Sequence, residues 1–397
     1  MREADTSTYR VLETIRAFAL DRLDECHERT DAFECHRRWV VASATRASRL
    51  DRWMSAALAA RQRTDASHLR QAFWSSVDGD ALGDAVELAV ARSFLWRNAV
   101  GCMEGHRWLD AVARHDLAPA DAAWVALLRA DIGQGDGDFG AMIAAAADSA
   151  RLAAGRDPHA EALARHFLAL THLLDPTRVD EVLDEVAAIS PDERFSALVA
   201  GFRMVAHAGR TPLDELDRQV DDLERRASED GYDRFILNWA MWLHGLARRD
   251  ERWARRGIDQ QYGYLDAMGL AETWLTSYSR AVTEMVDGES GRRQLAAALD
   301  IAHREGYRIE GDCMLALAYS EVCGGEPIVA AELLGLARTC RFNATAHHVL
   351  NGVVVEPLVR QALDRADCDA ALARGKGRSV ESTLVDYGIR SGTGTST

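Results

Sequence analysis

The apolar residues Leu82, Val86, Ala89, Val90 and Phe94 fall at i, i+4, i+7, i+8 and i+12, one stripe of a helical period of about 3.6 residues. The stripe recurs in Val179, Val182, Leu183, Val186 and Ile189, and again in Leu213, Leu216, Val220, Leu223 and Ala227. Alternating period-2 runs are nearly absent, and Val353-Val354-Val355 is too short a β-branched cluster to predict a strand. Alanine is abundant, which favours helix by intrinsic propensity and lets helices pack closely. The pattern predicts an all-α chain.

Prolines punctuate the pattern. Ser190-Pro191-Asp192-Glu193 has the form of a capping box, with proline at the first helical position, where no amide donor is needed. Thr211-Pro212-Leu213-Asp214 is a similar start, and Asp157-Pro158 and Asp175-Pro176 each set a side-chain acceptor before a proline. The intervals between Pro158, Pro176, Pro191 and Pro212 each leave room for one helix and a turn. Two such helices make a unit of roughly 34 to 40 residues, the period of tetratricopeptide-like hairpins. A hairpin alone leaves an apolar flank bare, so the hairpins must stack. The expected architecture is a tetratricopeptide-like, right-handed superhelix of stacked antiparallel helical hairpins. Its repeats are degenerate: Ala316-Leu317-Ala318-Tyr319, Gly324-Gly325 and Ala330-Ala331-Glu332-Leu333-Leu334 are fragments of the repeat pattern, without a clean consensus copy. Asp136-Gly137, Asp230-Gly231, Asp287-Gly288 and Glu305-Gly306 mark further helix ends.

Composition narrows the function classes. At 397 residues and 48% hydrophobic content the chain can bury a large core. Its apolar stretches are interrupted by charges well before the roughly 20 residues of a membrane span, and residues 1 to 20 lack a secretory core, so a cytoplasmic location is expected. The seven cysteines Cys26, Cys35, Cys102, Cys313, Cys323, Cys340 and Cys368 form no Cys-x-x-Cys pair and read as reduced, mostly buried thiols. A net charge of -15 argues against binding an extended phosphate backbone, so no direct nucleic-acid contact is expected. Residues 1 to 63 depart from that balance, with 12 Arg against 10 acids. Such a head either docks on an acidic surface or is an ordinary solvated helix face, and the second is the plainer reading. Lys376, the sole lysine, stands in Ala370-Ala-Leu-Ala-Arg-Gly375-Lys376-Gly377, which lacks the first glycine and the hydroxyl of a P-loop.

Tyr9-Arg-Val-Leu-Glu-Thr-Ile-Arg-Ala-Phe-Ala-Leu-Asp-Arg-Leu23 resembles the segment that follows the ATPase module, at the end of its winged helix, in bacterial STAND-type regulators of the LuxR, AfsR and cyclase-linked kinds. His68-Leu-Arg-Gln-Ala-Phe-Trp74 and Glu104-Gly-His-Arg-Trp-Leu109 resemble helices of their repeat region, and Glu332-Leu-Leu-Gly335 and Ala371-Leu-Ala-Arg-Gly375 through Val380 their closing helices. The resemblance implies a sensor arm that receives a protein partner or small effector and controls an ATPase and DNA-binding module, in cis or in trans. The chain shows no nucleotide-binding domain and no helix-turn-helix after residue 373. The implied organisation is a winged-helix remnant or linker helix over residues 1–28, a tetratricopeptide-like repeat domain over 29–373, and a short terminal helix with a disordered tail over 374–397.

Other motifs carry little chemistry. Gly135-Asp-Gly137-Asp-Phe-Gly140 fits Gly-x-Gly-x-x-Gly, yet it follows a helix and its acids would repel a pyrophosphate, so it reads as a turn. His159-Ala-Glu161 lacks the Pro-Cys-x-x-Cys partner of a zinc deaminase, and His347-His348 beside Cys340 lack a second ligand pair. No catalytic, cofactor or metal site is expected. Trp239 and Trp242 share a helix face, with Trp253 and Trp274 following at near-repeat distances; these four are either core packing or a partner and ligand surface. The rival class is an all-helical enzyme, terpenoid-synthase-like, with a closed acidic cavity. Its nearest signal is Asp221-Asp222-Leu-Glu224-Arg225, whose acids the stripe through Leu216, Val220 and Leu223 leaves on the solvent side. A free-standing protein scaffold is a third reading.

Overall fold

The computed structural model describes residues 13–55, 58, 65–98, 102–136, 138–172, 175–189, 192–227, 231–266, 273–284, 289–304, 308–340 and 350–389. The expected Ser190-Pro191 cap, the helix ends expected at Asp230, Asp287-Gly288 and Glu305-Gly306, the His347-His348 pair, residues 1–12 and the tail from Ser391 lie outside them. Among the described residues the chain is all-α, and its β content is an isolated antiparallel bridge between Ser55 and Gly231. No helix there is long and apolar enough to cross a membrane.

The helices are α1 (Glu13–Glu25), α2 (Arg29–Ala44), α3 (Arg49–Met54), α4 (Ala66–Asp78), α5 (Leu82–Asn98), α6 (Cys102–Val112), α7 (Pro119–Gly135), α8 (Phe139–Ala153), α9 (Pro158–Ala169), α10 (Pro176–Ile189) and α11 (Glu193–Ala206). They continue as α12 (Leu213–Arg226), α13 (Tyr232–Arg248), α14 (Glu251–Asp266), α15 (Trp274–Glu284), α16 (Glu289–Arg304), α17 (Glu310–Cys323), α18 (Pro327–Ala337), α19 (Glu356–Ala362), α20 (Arg365–Gly375) and α21 (Val380–Asp386). The valine cluster 353–355 lies in a buried π-helical turn, Leu350–Val355, that runs into α19.

From α7 onward the odd helices begin at Pro119, Pro158, Glu193, Tyr232, Trp274 and Glu310, each interval close to the period of a helical hairpin. Each odd helix packs on the even helix after it, and successive hairpins meet through α5 on α7, α7 and α8 on α9, α10 on α11, α11 on α13, and α14 and α17 on α15. Polar side chains bridge the hairpins at one-repeat separations. The Trp124 indole donates to Asp157 at 2.7 Å and the Tyr278 hydroxyl to the Asp312 carbonyl at 3.0 Å, while inside the α13–α14 hairpin the Tyr264 hydroxyl donates to the Gly231 carbonyl at 3.0 Å. A short helix is marginal alone in water, so this stacking supplies most of the helical stability. Near the end, Gly335 of α18 and Gly375 of α20 face each other's helix. A Cβ on Gly335 would sit 2.2 Å from the Leu372 carbonyl oxygen, so the two axes approach as only glycine permits.

Helix starts follow the sequence at three places and depart at one. Asp157 accepts from the Ala160 amide at 3.0 Å, Asp175 from Arg178 at 3.2 Å, and Asp138 from Ala141 at 2.9 Å, so with Gly137 outside the described residues, α7 ends at Gly135 and Asp138 caps α8, in keeping with the expected turn. At Thr211-Pro212 the helix begins one residue late. Pro212 occupies the cap without a side-chain acceptor, and the Thr211 carbonyl instead accepts from Arg248 of α13. Asp157 serves two helices at once. Asp157→Ala is expected to cost about 2 kcal/mol, from one lost cap and one stranded buried indole, read as a lower midpoint in urea denaturation.

The arginine-rich head does not simply face water. Arg22 and Arg38 are exposed, but Arg37 pairs with Asp84 of α5, Arg49 with Glu87 and Asp121, and Arg52 with Glu87. The acidic surface it meets belongs to this chain. Helix α1 leaves Ile15 and Phe18 exposed. Of the thiols, Cys102, Cys313 and Cys368 are buried, Cys323 and Cys340 half-buried, and Cys26 and Cys35 exposed, none of them in a disulfide.

Candidate functional site

Two open grooves lie where the second helix of one hairpin meets both helices of the next. The first, about 680 Å³, is formed by α6, α7 and α8; the second, about 640 Å³, by α10, α11 and α12. They are equivalent positions in the array. The starts Cys102, Pro119 and Phe139 of the first trio and Pro176, Glu193 and Leu213 of the second are separated by one constant offset. In both, an arginine on the middle helix reaches an aspartate 19 residues earlier: Arg129 to Asp110, and Arg203 to Asp184. Ala126 and Ala200, and Asp148 and Asp222, line the two grooves in the same register.

The grooves differ in charge. Alanines line the first beneath five aspartates, Asp110, Asp116, Asp136, Asp138 and Asp148, set against Arg129, His106 and His115. The hydrogen bond from the His106 ring to the Asp136 carboxylate raises the His106 pKa above its ordinary value, partly offset by burial. The second groove carries both signs, with Arg203, Arg210, Arg226 and His207 facing Asp180, Asp184, Glu215 and Asp222. Arg203 lies 3.6 Å from Asp180, His207 3.0 Å from the same carboxylate, and Arg226 2.7 Å from Asp222. Arg210 is exposed and makes no ion pair among the described residues, so its guanidinium is available to an incoming anion.

The four tryptophans singled out by spacing lie elsewhere. Trp239 and Trp242 of α13 and Trp274 of α15 are buried, and Trp253 of α14 is half-buried beneath the Arg256 guanidinium, 5.5 Å from its ring. The Trp242 indole donates to Thr283 at 2.8 Å, tying α13 to α15. None of the four lines either groove. Shared helix face cannot separate packing from binding here, because α13 is buried on nearly every side from Tyr232 to Leu246. Of the acids at 221–224, Asp221 is exposed as expected, while Asp222 turns into the second groove and Glu224 pairs with Arg256 at 3.1 Å. Among the described residues no three His, Cys, Asp or Glu side chains come together as a metal site. Cys340 stands half-buried without a described histidine beside it, and His159 is half-buried at the start of α9.

The groove residues carried one sequence signal, this same offset. It matches Val125 with Val199, Ala126 with Ala200, Arg129 with Arg203 and Gly135 with Gly209. A search for internal repeats at twice the hairpin period would have found it.

No family model matches the chain, and no solved structure matches it. A stretch of 119 residues is 31% identical to proteins of Mycobacterium bovis and of two strains of Mycobacterium tuberculosis, each named "Putative HTH-type transcriptional regulator". The stretch is 29% of this chain and 13% of each relative, so the chain spans only a small part of the length of the curated relatives it matches. The chain is an all-α protein distantly similar to HTH-type transcriptional regulators.

Proposed function

We propose that this chain is a non-catalytic binding module of a transcriptional regulator, a superhelical sensor arm of the STAND type that receives a protein partner or small effector in the cytoplasm. The observation that carries the reading is the mixed-charge groove between α10, α11 and α12, whose position in the array is repeated two hairpins earlier by a more acidic groove. An open groove with paired charges and one uncommitted arginine suits recognition, in which complementary charge supplies specificity. Acid–base catalysis favours a more enclosed site whose titratable groups are strongly perturbed. The distant similarity to HTH-type regulators supports the regulatory half of the reading.

The test is affinity capture on the immobilised chain, with mass spectrometry of bound proteins and small molecules, run beside Arg203→Glu. That change sets a third carboxylate against Asp180 and Asp184 on a partly exposed face, so helical content should stay intact while the specific ligand falls at least tenfold. A ligand recovered equally on both chains would remove the groove from the reading. Reproducible turnover of a nucleotide or other substrate, lost with Arg203→Glu, would overturn its non-catalytic half.

A further inference from the structure

The short helix α3 and Ser55 lie across helices that are far apart in sequence. Arg49 reaches Glu87 of α5 and Asp121 of α7, with its guanidinium 5.8 Å from the Trp124 ring, and Arg52 reaches both the Glu87 carboxylate and the Glu87 carbonyl. Trp53 is fully buried. Its indole N–H donates to the buried Asp131 of α7 at 3.2 Å, and its ring stands edge-on to Phe167 of α9 at 6.3 Å and Tyr232 of α13 at 5.2 Å. Beyond it, Ser55 makes the isolated antiparallel bridge to Gly231.

This is how a groove holds a peptide. A single aromatic anchor fills a desolvated pocket, arginines on its N-terminal side meet carboxylates, and a main-chain bridge fixes direction. The segment is also closed on itself, since Ser48 and Asp51 form a complete capping box that lets the turn stand without a preceding helix. Its partners come from four helices of different hairpins, each of which has its own packing neighbour within the array.

We propose that the face formed by α5, α7, α9 and α13 is a peptide-binding groove, held in cis by Arg49–Ser55, whose outside partner is a protein segment bearing Arg-x-x-Arg-Trp. The assignment is independent of the outer grooves described above and of the regulatory reading. A tethered segment competes at an effective concentration on the order of millimolar, so the unmodified chain takes an outside peptide only weakly. Weakening the cis copy releases the site.

The probe is a fluorescein-labelled peptide of sequence Ala47-Ser-Arg-Leu-Asp-Arg-Trp-Met-Ser55, titrated against the full chain. Trp53→Ala in the chain is expected to tighten binding at least tenfold over the unmodified chain, and the same substitution in the peptide should abolish it. The double variant Arg49→Ala, Arg52→Ala serves where Trp53→Ala does not fold, and should show the same gain. In the unmodified chain, amides of residues 52–55 should exchange with solvent at least tenfold faster than those of residues 123–132 in α7, because the segment opens without global unfolding. No gain in peptide binding by a folded variant, or exchange of the segment only at the rate of α7, would overturn the proposal.

Discussion

Gly245→Ala is expected to destabilise the protein by about 3 kcal/mol, although alanine is the better helix former by about 1 kcal/mol. The sign is decided by what the new methyl meets. Gly245 lies in α13 where α14 crosses it, and a Cβ there would stand 2.2 Å from the Ala254 amide nitrogen, 2.6 Å from its Cα and 2.8 Å from its Cβ. Two of these atoms are main chain and cannot swing aside, so the hairpin must open and lose packing along both helices. Gly263, an exposed residue of α14, has nothing within 4 Å of the place its methyl would take. Gly263→Ala should therefore keep the propensity gain and raise stability by about 0.5 to 1 kcal/mol. Chemical denaturation of both variants checks the pair. A Gly245→Ala protein as stable as the unmodified chain would mean that α13 and α14 do not cross this closely.

The same contrast shows which parts of the molecule could be read from the sequence. Helix and its period were legible because burial on one side writes a stripe, as in Leu216, Val220 and Leu223, all buried in α12 while Asp217 and Asp221 face water. Helix starts were legible where a side chain caps its own backbone, as at Asp157 and Asp175, since the interaction spans three residues. At Thr211 the local signal failed because Arg248, 37 residues on, takes the carbonyl. The tryptophan spacing left core packing and a binding surface unseparated for a related reason. A spacing of three marks a shared face only on a helix with a wet side, and α13 has none over most of its length. The charged grooves were hidden because Arg203 and Asp184 look like ordinary surface residues of separate helices until the helices are stacked. The basic head was hidden likewise. Its excess of arginine is visible, but not that Arg49 and Arg52 turn inward onto Glu87, where burial would raise the carboxyl and the two guanidinium groups hold it below its ordinary value.

Stability should fall by about 3 kcal/mol as the pH is lowered from about 6.5 to about 4, through His244 alone. His244 is fully buried in α13, with Nε2 2.9 Å from the Met204 carbonyl and Nδ1 accepting from the Gly209 amide at 3.3 Å. Those partners define a neutral ring, a donor at Nε2 and an acceptor at Nδ1. Adding a proton at Nδ1 breaks the Gly209 bond, sets two N–H groups against each other and charges a site out of reach of water. Burial accordingly pushes its pKa down to about 4 against the opposing hydrogen bond to Met204, and the charges of Arg248 and His207 add smaller effects in the direction of burial. In the unfolded chain the ring titrates at its ordinary value of 6.5. Between the two values the unfolded state binds more protons than the folded one, so unfolding is favoured as the pH falls. The paired carboxylates Glu87, Glu104 and Glu356 have lowered pKa values and act below their ordinary 4.5, the raised His106 acts above 6.5, and His36, lowered by burial and by the nearby His68, adds to the loss in the same direction, so the comparison with a His244 variant between pH 6.5 and 5 isolates this ring. Urea denaturation at pH 7.5, 6 and 5 is expected to show about 2 kcal/mol lost by pH 5, since each unit of pH inside the window is worth about 1.4 kcal/mol per proton. His244→Phe should be less stable at pH 7.5, because the Gly209 amide and Met204 carbonyl lose their partner, yet its stability should change far less between pH 6.5 and 5. A slope as steep in His244→Phe as in the unmodified chain would move the pH dependence away from this ring.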